Sequence, residues 1–236
     1  MTWLDRTLWP AIIVLAGSLV LFQCTGLDLT LQDRIYNFSE RRWTRPRDSK
    51  VLEFTFHQLP KYLIFLLVAV MLVRFFADGR VGFLQSIPRP SGRRLGVLLL
   101  TLALTPALVS LTKKATRVHC PWAVQRYGGP EPYVRPLSSY EECCPPGRKG
   151  ECWPAGHASG GFALFALASL AVTPRGIRRG LLAGALMGVI TGGYQMLKGA
   201  HYLSDTVVTM LLAWIIHLLA RRFVLKPTSD ASPSHA

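Results

Sequence analysis

Charge is what this sequence has least of, and negative charge above all. Formal charges occupy 17% of its 236 residues, with 13 acidic side chains against 27 basic ones, where an average soluble domain carries roughly 25% charge. Paired C-x-x-C ligands are missing, which argues against the common zinc frameworks. No aspartate-rich segment offers a magnesium site, so neither a metal nor another cofactor is expected. An A-x-A-like cleavage site is missing after the first apolar run, which therefore reads as a retained helix and not as a removed signal peptide.

What the chain does have is long, almost uncharged apolar stretches, each suited to a hydrocarbon core that a helix crosses in roughly 20 residues. Six are readable, at about Trp9 to Leu27, Tyr62 to Phe76, Leu95 to Leu111, His157 to Val172, Leu181 to Leu197 and Tyr202 to Ala220. The fourth and fifth are rich in glycine and alanine. Gly180, Gly184, Gly188 and Gly192 recur every four residues and so line one helix face, where small residues let membrane helices approach closely. The expected fold is all-α: one polytopic domain over residues 1–226 with six transmembrane helices, and a polar tail at 227–236.

The net charge of +14 would suggest a nucleic-acid partner in a soluble chain, but its distribution argues against nucleic acid. Arg6, then Arg80, Arg89, Arg93 and Arg94, then Arg175, Arg178 and Arg179, then Arg221, Arg222 and Lys226 fall in segments that share one side if all six helices span. Short basic loops face the cytoplasm, so both termini are expected there, in a plasma (inner) membrane. The loop after the first helix opposes this with Arg34, Arg41, Arg42, Arg45, Arg47 and Lys50, partly offset by Asp28, Asp33, Glu40, Asp48 and Glu53. Cysteine use decides between the two orientations. Cys120, Cys143, Cys144 and Cys152 share the polar interval at 112–155, and disulfides require an oxidising, extracytoplasmic compartment. Two bridges are expected, with the pairing open except that adjacent Cys143 and Cys144 are poor partners.

Three polar clusters sit at helix ends on that side. One follows the third run and contains Lys113, Lys114, Arg117, His119 and Cys120; such cations can clamp phosphate oxygens. The second, Pro154-Ala155-Gly156-His157, opens the fourth run, where first-turn amides bind anions. In the third, His201 and Asp205 are four residues apart, one turn of a helix that continues as apolar sequence. A carboxylate there is costly and is usually paired or functional. Accepting a proton from one imidazole nitrogen, it would leave the other nitrogen free to attack.

In order and spacing the three clusters resemble the type 2 phosphatidic acid phosphatase family, whose signature is Lys-x6-Arg-Pro, Pro-Ser-Gly-His and Ser-Arg-x5-His-x3-Asp. Lys113 and Pro121, then Pro154, Gly156 and His157, then His201 and Asp205 are in register. Four positions depart from the pattern: Ala155 replaces serine, Cys120 stands where the family has arginine, and Gln195 with Tyr194 stands where it has arginine with serine. The resemblance implies a lipid phosphate phosphatase with an extracytoplasmic site and a phosphorylated membrane lipid as partner. It implies His201 as the nucleophile that becomes phosphohistidine, Asp205 as its orienting group and His157 as general acid and base. Lys113 and the amides near Ala155 and Gly156 would bind phosphate, with Lys198 and Arg117 as the cations nearest the two missing arginines. A lipid-to-lipid phosphotransferase and a non-catalytic binder of anionic lipid are the competing readings.

Overall fold

The computed structural model describes residues 5–77, 85–138 and 150–225. Its helices are α1 (Leu8–Cys24), α2 (Leu27–Ile35), α3 (Lys50–Glu53), α4 (Leu59–Phe76), α5 (Gly92–Thr116), α6 (Gly156–Ala163), α7 (Pro174–Leu197) and α8 (Leu203–Val224). A wide π turn at Phe54–Gln58 joins α3 to α4, making one 27-residue helix from Lys50 to Phe76. The second apolar run, expected to begin at Tyr62, is thus extended by twelve residues at its amino end.

Four helices are long and apolar enough to cross a membrane, and a fifth exists if α1 and α2 count as one span bent by 72°. By length and composition the described residues therefore give four or five candidate spans where six were expected. The fourth expected run, His157 to Val172, holds only the eight residues of α6 and a six-residue 3-10 helix, Leu164–Ser169. The first run stops at Thr25, whose extended backbone (φ −120°, ψ 165°) caps α1 and turns the chain into α2. A two-stranded hairpin, β1 (Tyr36–Asn37) and β2 (Arg42–Trp43), pairs Tyr36 with Trp43 and is an unexpected departure from an all-α chain.

The glycine stripe of α7 accounts for the tightest packing. A Cβ built on Gly180 would lie 2.5 Å from the Ala168 amide nitrogen, one on Gly184 2.5 Å from that of Phe165, and one on Gly188 2.1 Å from the Phe162 ring. So α7 rests backbone to backbone on α6 and its 3-10 continuation, as the four-residue spacing anticipates. Outward-facing positions are apolar instead of charged: Leu63, Phe65 and Leu66 on α4 and Leu182, Leu186 and Val189 on α7 are exposed. The apolar window of the Lys50–Phe76 helix is only 11% buried within the protein. Such a belt suits hydrocarbon, not water.

The helix directions divide the bundle into two ends. Arg93 and Arg94 start α5, Arg175, Arg178 and Arg179 start α7, and Arg221 and Arg222 finish α8. The carboxyl ends of α5 and α7 and the amino ends of α6 and α8 meet at the other end, with the hairpin and the 118–138 segment packed over them.

Candidate active site

His201 occupies the link between α7 and α8. That link reverses direction at Gly199, whose φ of +72° is left-handed and whose missing Cβ would sit 2.3 Å from the Trp43 ring. Only glycine combines that backbone with that contact. The hairpin is pinned to the same link by the Arg45 amide, which donates to the Leu197 carbonyl (3.2 Å), and the Trp122 amide donates to the Gly199 carbonyl (3.0 Å). Two separate segments, the hairpin with Arg45 and the stretch at Trp122, therefore pack on the link that carries His201.

Asp205, in the first turn of α8, is fully buried and accepts from His201 Nδ1 at 2.8 Å and from the Tyr202 amide at 3.1 Å. Those bonds leave His201 Nε2 facing His157, whose Nδ1 lies 3.1 Å away. Burial holds the His201 imidazole below its ordinary range, and the nearby Lys113 and Lys198 ammonium groups push the same way. A neutral ring with its Nδ1 proton on a carboxylate is the nucleophilic form of histidine.

His157 follows Gly156 on α6, and that helix start is tied to α8 and α5. The Ala155 amide donates to the Asp205 carbonyl (3.2 Å), Thr209 Oγ1 to the Ala155 carbonyl (3.3 Å), and Thr116 Oγ1 to the Trp153 carbonyl (2.6 Å). The Ala155 amide, expected to face phosphate, is thus occupied by the Asp205 carbonyl. Lys113 leans over the next position: a Cβ on Gly156 would lie 3.4 Å from Lys113 Nζ. A cavity of about 530 Å³ opens beside them, lined by His57, Lys61, Lys113, Gly156 and His157 among others.

The two cations expected to replace the missing arginines behave differently. Lys198 is buried against Glu53, with Nζ 2.8 Å from Oε2, and lies 5.1 Å from the Tyr194 ring centroid. Arg117 caps α5 with a left-handed φ of 55° and is exposed, outside the cavity lining. Gln195, where the family pattern has arginine, is wholly buried, and neither atom of its amide has a hydrogen-bond partner among the described residues.

Two residues that the sequence reading did not place at the site are brought to it. His57 stacks edge-on to His157 with ring centroids 4.5 Å apart, and its Nδ1 is 2.5 Å from Glu53 Oε1. Glu53 therefore bridges His57 and Lys198. The signal was the spacing Glu53-x3-His57-x3-Lys61, the same one-turn interval that marked His201 and Asp205.

Cys120 and Cys152 form a disulfide across 32 residues. Its Cys152 sulfur lies 3.5 Å from both His201 Nδ1 and Asp205 Oδ2. The bridge thus packs directly against the His–Asp pair, and the arginine position of the family pattern is spent on it. Cys143 and Cys144, needed for a second bridge, lie outside the described residues. Peptide mapping without reduction should yield a Cys120–Cys152 cross-linked peptide. Reduction should lower stability by roughly 4 kcal/mol for a loop of this size and loosen the site; recovery of both as free thiols from exported protein would refute the bridge.

A bundle with an exposed apolar belt, and with His157, His201 and Asp205 gathered at one end, is consistent with a multi-pass membrane protein. The sequence profile of the PAP2 superfamily matches residues 94–229, more than half of the chain, and the chain belongs to that type 2 phosphatidic acid phosphatase-like family. Membership makes it a phosphatase-type protein. Comparison with curated proteins and with solved structures gives no match.

Proposed function

We propose that this protein hydrolyses a phosphorylated membrane lipid through a phosphohistidine on His201. The observation that carries the reading is the line Asp205–His201–His157, with steps of 2.8 and 3.1 Å. Asp205 holds the Nδ1 proton, so the Nε2 lone pair attacks phosphorus while the bond to the lipid oxygen breaks. His157 donates its proton to that departing oxygen. It then takes a proton from water, whose oxygen attacks the phosphohistidine, breaks the P–N bond and releases inorganic phosphate. Lys113 and the amino end of α6 at Gly156 stabilise the charge on the phosphoryl oxygens.

The substrate phosphate would sit at a lipid interface, which suits phosphatidic acid, phosphatidylglycerol phosphate, a polyprenyl pyrophosphate or a lipid A phosphate. Phosphate release from each in mixed micelles by purified protein tests the reading. An acid-labile, alkali-stable phosphoryl adduct on His201 should be trapped on rapid quenching. Absence of release across the whole panel would favour a non-catalytic binder of anionic lipid instead.

The site end is assigned to the extracytoplasmic face of the plasma membrane and both termini to the cytoplasm, from the arginines at the opposite end of the bundle. This assignment includes a traverse by α6 with its 3-10 extension, which brings the count to six. An epitope inserted after Ser139 should be reached by antibody on intact spheroplasts. One appended after Ala236 should be reached only after permeabilisation, and the reverse pattern would invert the topology.

A further inference from the structure

A phosphoryl group in transfer spreads negative charge over three equatorial oxygens, and catalysis rests largely on the cations around them. The family pattern expects arginines where this chain has Cys120, consumed in a disulfide, and Gln195, buried and uncharged. Lys198 is committed to Glu53, and Arg117 does not line the cavity. Lys113 alone is too little charge for a phosphate dianion, so the remaining cations must come from another part of the wall.

The same cavity has a second cationic side, contributed by the Lys50–Phe76 helix. His57 and Lys61 are one turn apart on it and both line the space shared with Lys113, Gly156 and His157. His57 is partly buried, its side chain 17% exposed, and Glu53 occupies its Nδ1 at 2.5 Å. The far nitrogen, Nε2, is left for a ligand. The Lys198–Glu53 pair ties this arrangement to the link that carries His201. His57 also falls within the π turn at Phe54–Gln58, and such widened turns recur at functional sites.

We propose that His57, oriented by Glu53, and Lys61 are phosphate-binding residues that take over the duty of the two missing arginines. Resting on the phosphatase reading, this assignment names the ligands of the same site. Lys113 holds the phosphate from α5, and His57 and Lys61 hold it from the second spanning helix.

The test separates binding from turnover. In a His201→Ala background, the affinity of purified full-length protein for inorganic phosphate and for a lipid phosphate monoester is measured in micelles. His57→Ala and Lys61→Ala should each weaken both ligands by roughly 10–100-fold, the size of one charged hydrogen bond. In otherwise unaltered protein each should lower kcat/KM by roughly 10²-fold or more. Lys61→Arg and His57→Arg should recover part of the loss, whereas Arg175→Ala, exposed at the start of α7 and outside the cavity lining, should change nothing. His57→Gln and Lys61→Met, closer in volume, give the same comparison if an alanine variant does not elute as a single species. Unchanged affinity for both ligands in the His57 and Lys61 variants would overturn the proposal, as would a loss confined to the lipid with inorganic phosphate bound normally. If the parent protein releases no phosphate from any lipid, yet its inorganic phosphate binding still depends on His57 and Lys61, the phosphatase reading fails while this assignment stands.

Discussion

Purified protein carrying His201→Ala should release phosphate from a lipid phosphate at less than about one-thousandth of the parent rate, because a nucleophile acts as one unit with its base and orienting group. The ring is buried, its Nδ1 is bonded to Asp205 at 2.8 Å and its Nε2 meets His157 at 3.1 Å. No water can fill that role with the same orientation. Asp205→Asn keeps the volume but presents an amide in place of the acceptor, so Nδ1 loses the partner that fixes the tautomer; a fall of roughly 10²-fold or more is expected. His157→Ala removes the proton source for the leaving oxygen, and general acid–base groups are typically worth 10²–10⁴-fold. Binding of the lipid should survive all three changes better than turnover does, since these groups act on the transition state. Undiminished phosphate release by His201→Ala would end the enzymatic reading.

How much of this was legible in the residues depends on the kind of signal. The glycines at 180, 184, 188 and 192 announce a close helix contact by spacing alone, and the structure seats them on Ala168, Phe165, Phe162 and Thr206. His157, His201 and Asp205 were identified by motif and converge within hydrogen-bond reach. The bend after Cys24 was hidden inside a continuous apolar run, since hydropathy does not register the change of backbone at Thr25. The fourth run had the right composition, but its glycines and tight contact with α7 leave it a short α-helix followed by a 3-10 helix. His57 and Glu53 were missed because the second helix was started at Tyr62, so Glu53 counted only as loop charge. Lys198 looked like a spare cation in sequence. Only three dimensions reveal a carboxylate 145 residues away to which it is bound.

The packing of α7 on α6 carries the last prediction, because it couples stability to the geometry of the histidines. Gly184→Ala puts a methyl group 2.5 Å from the Phe165 amide nitrogen and 2.8 Å from the Leu164 carbonyl carbon. Those are backbone atoms, which cannot swing aside as a side chain would, so the two helices must separate. Overpacking of this kind typically costs about 1–3 kcal/mol, and Gly184→Leu should exceed that and abolish monodisperse elution. Gly193, nine residues further along α7, meets nothing within 4 Å, so Gly193→Ala should leave the thermal midpoint unchanged or raise it, alanine favouring helix by up to about 1 kcal/mol. The activity of folded Gly184→Ala protein should fall further than its stability alone would require. His157 rides on α6 and His201 follows the end of α7, so separating these helices lengthens the 3.1 Å contact between the rings. A misplacement of about 1 Å can cost on the order of 10²-fold in rate. Thermal midpoints and kcat measured in the same detergent for both variants provide the comparison. Equal behaviour of Gly184→Ala and Gly193→Ala would mean that the stripe does not set the spacing of the histidines.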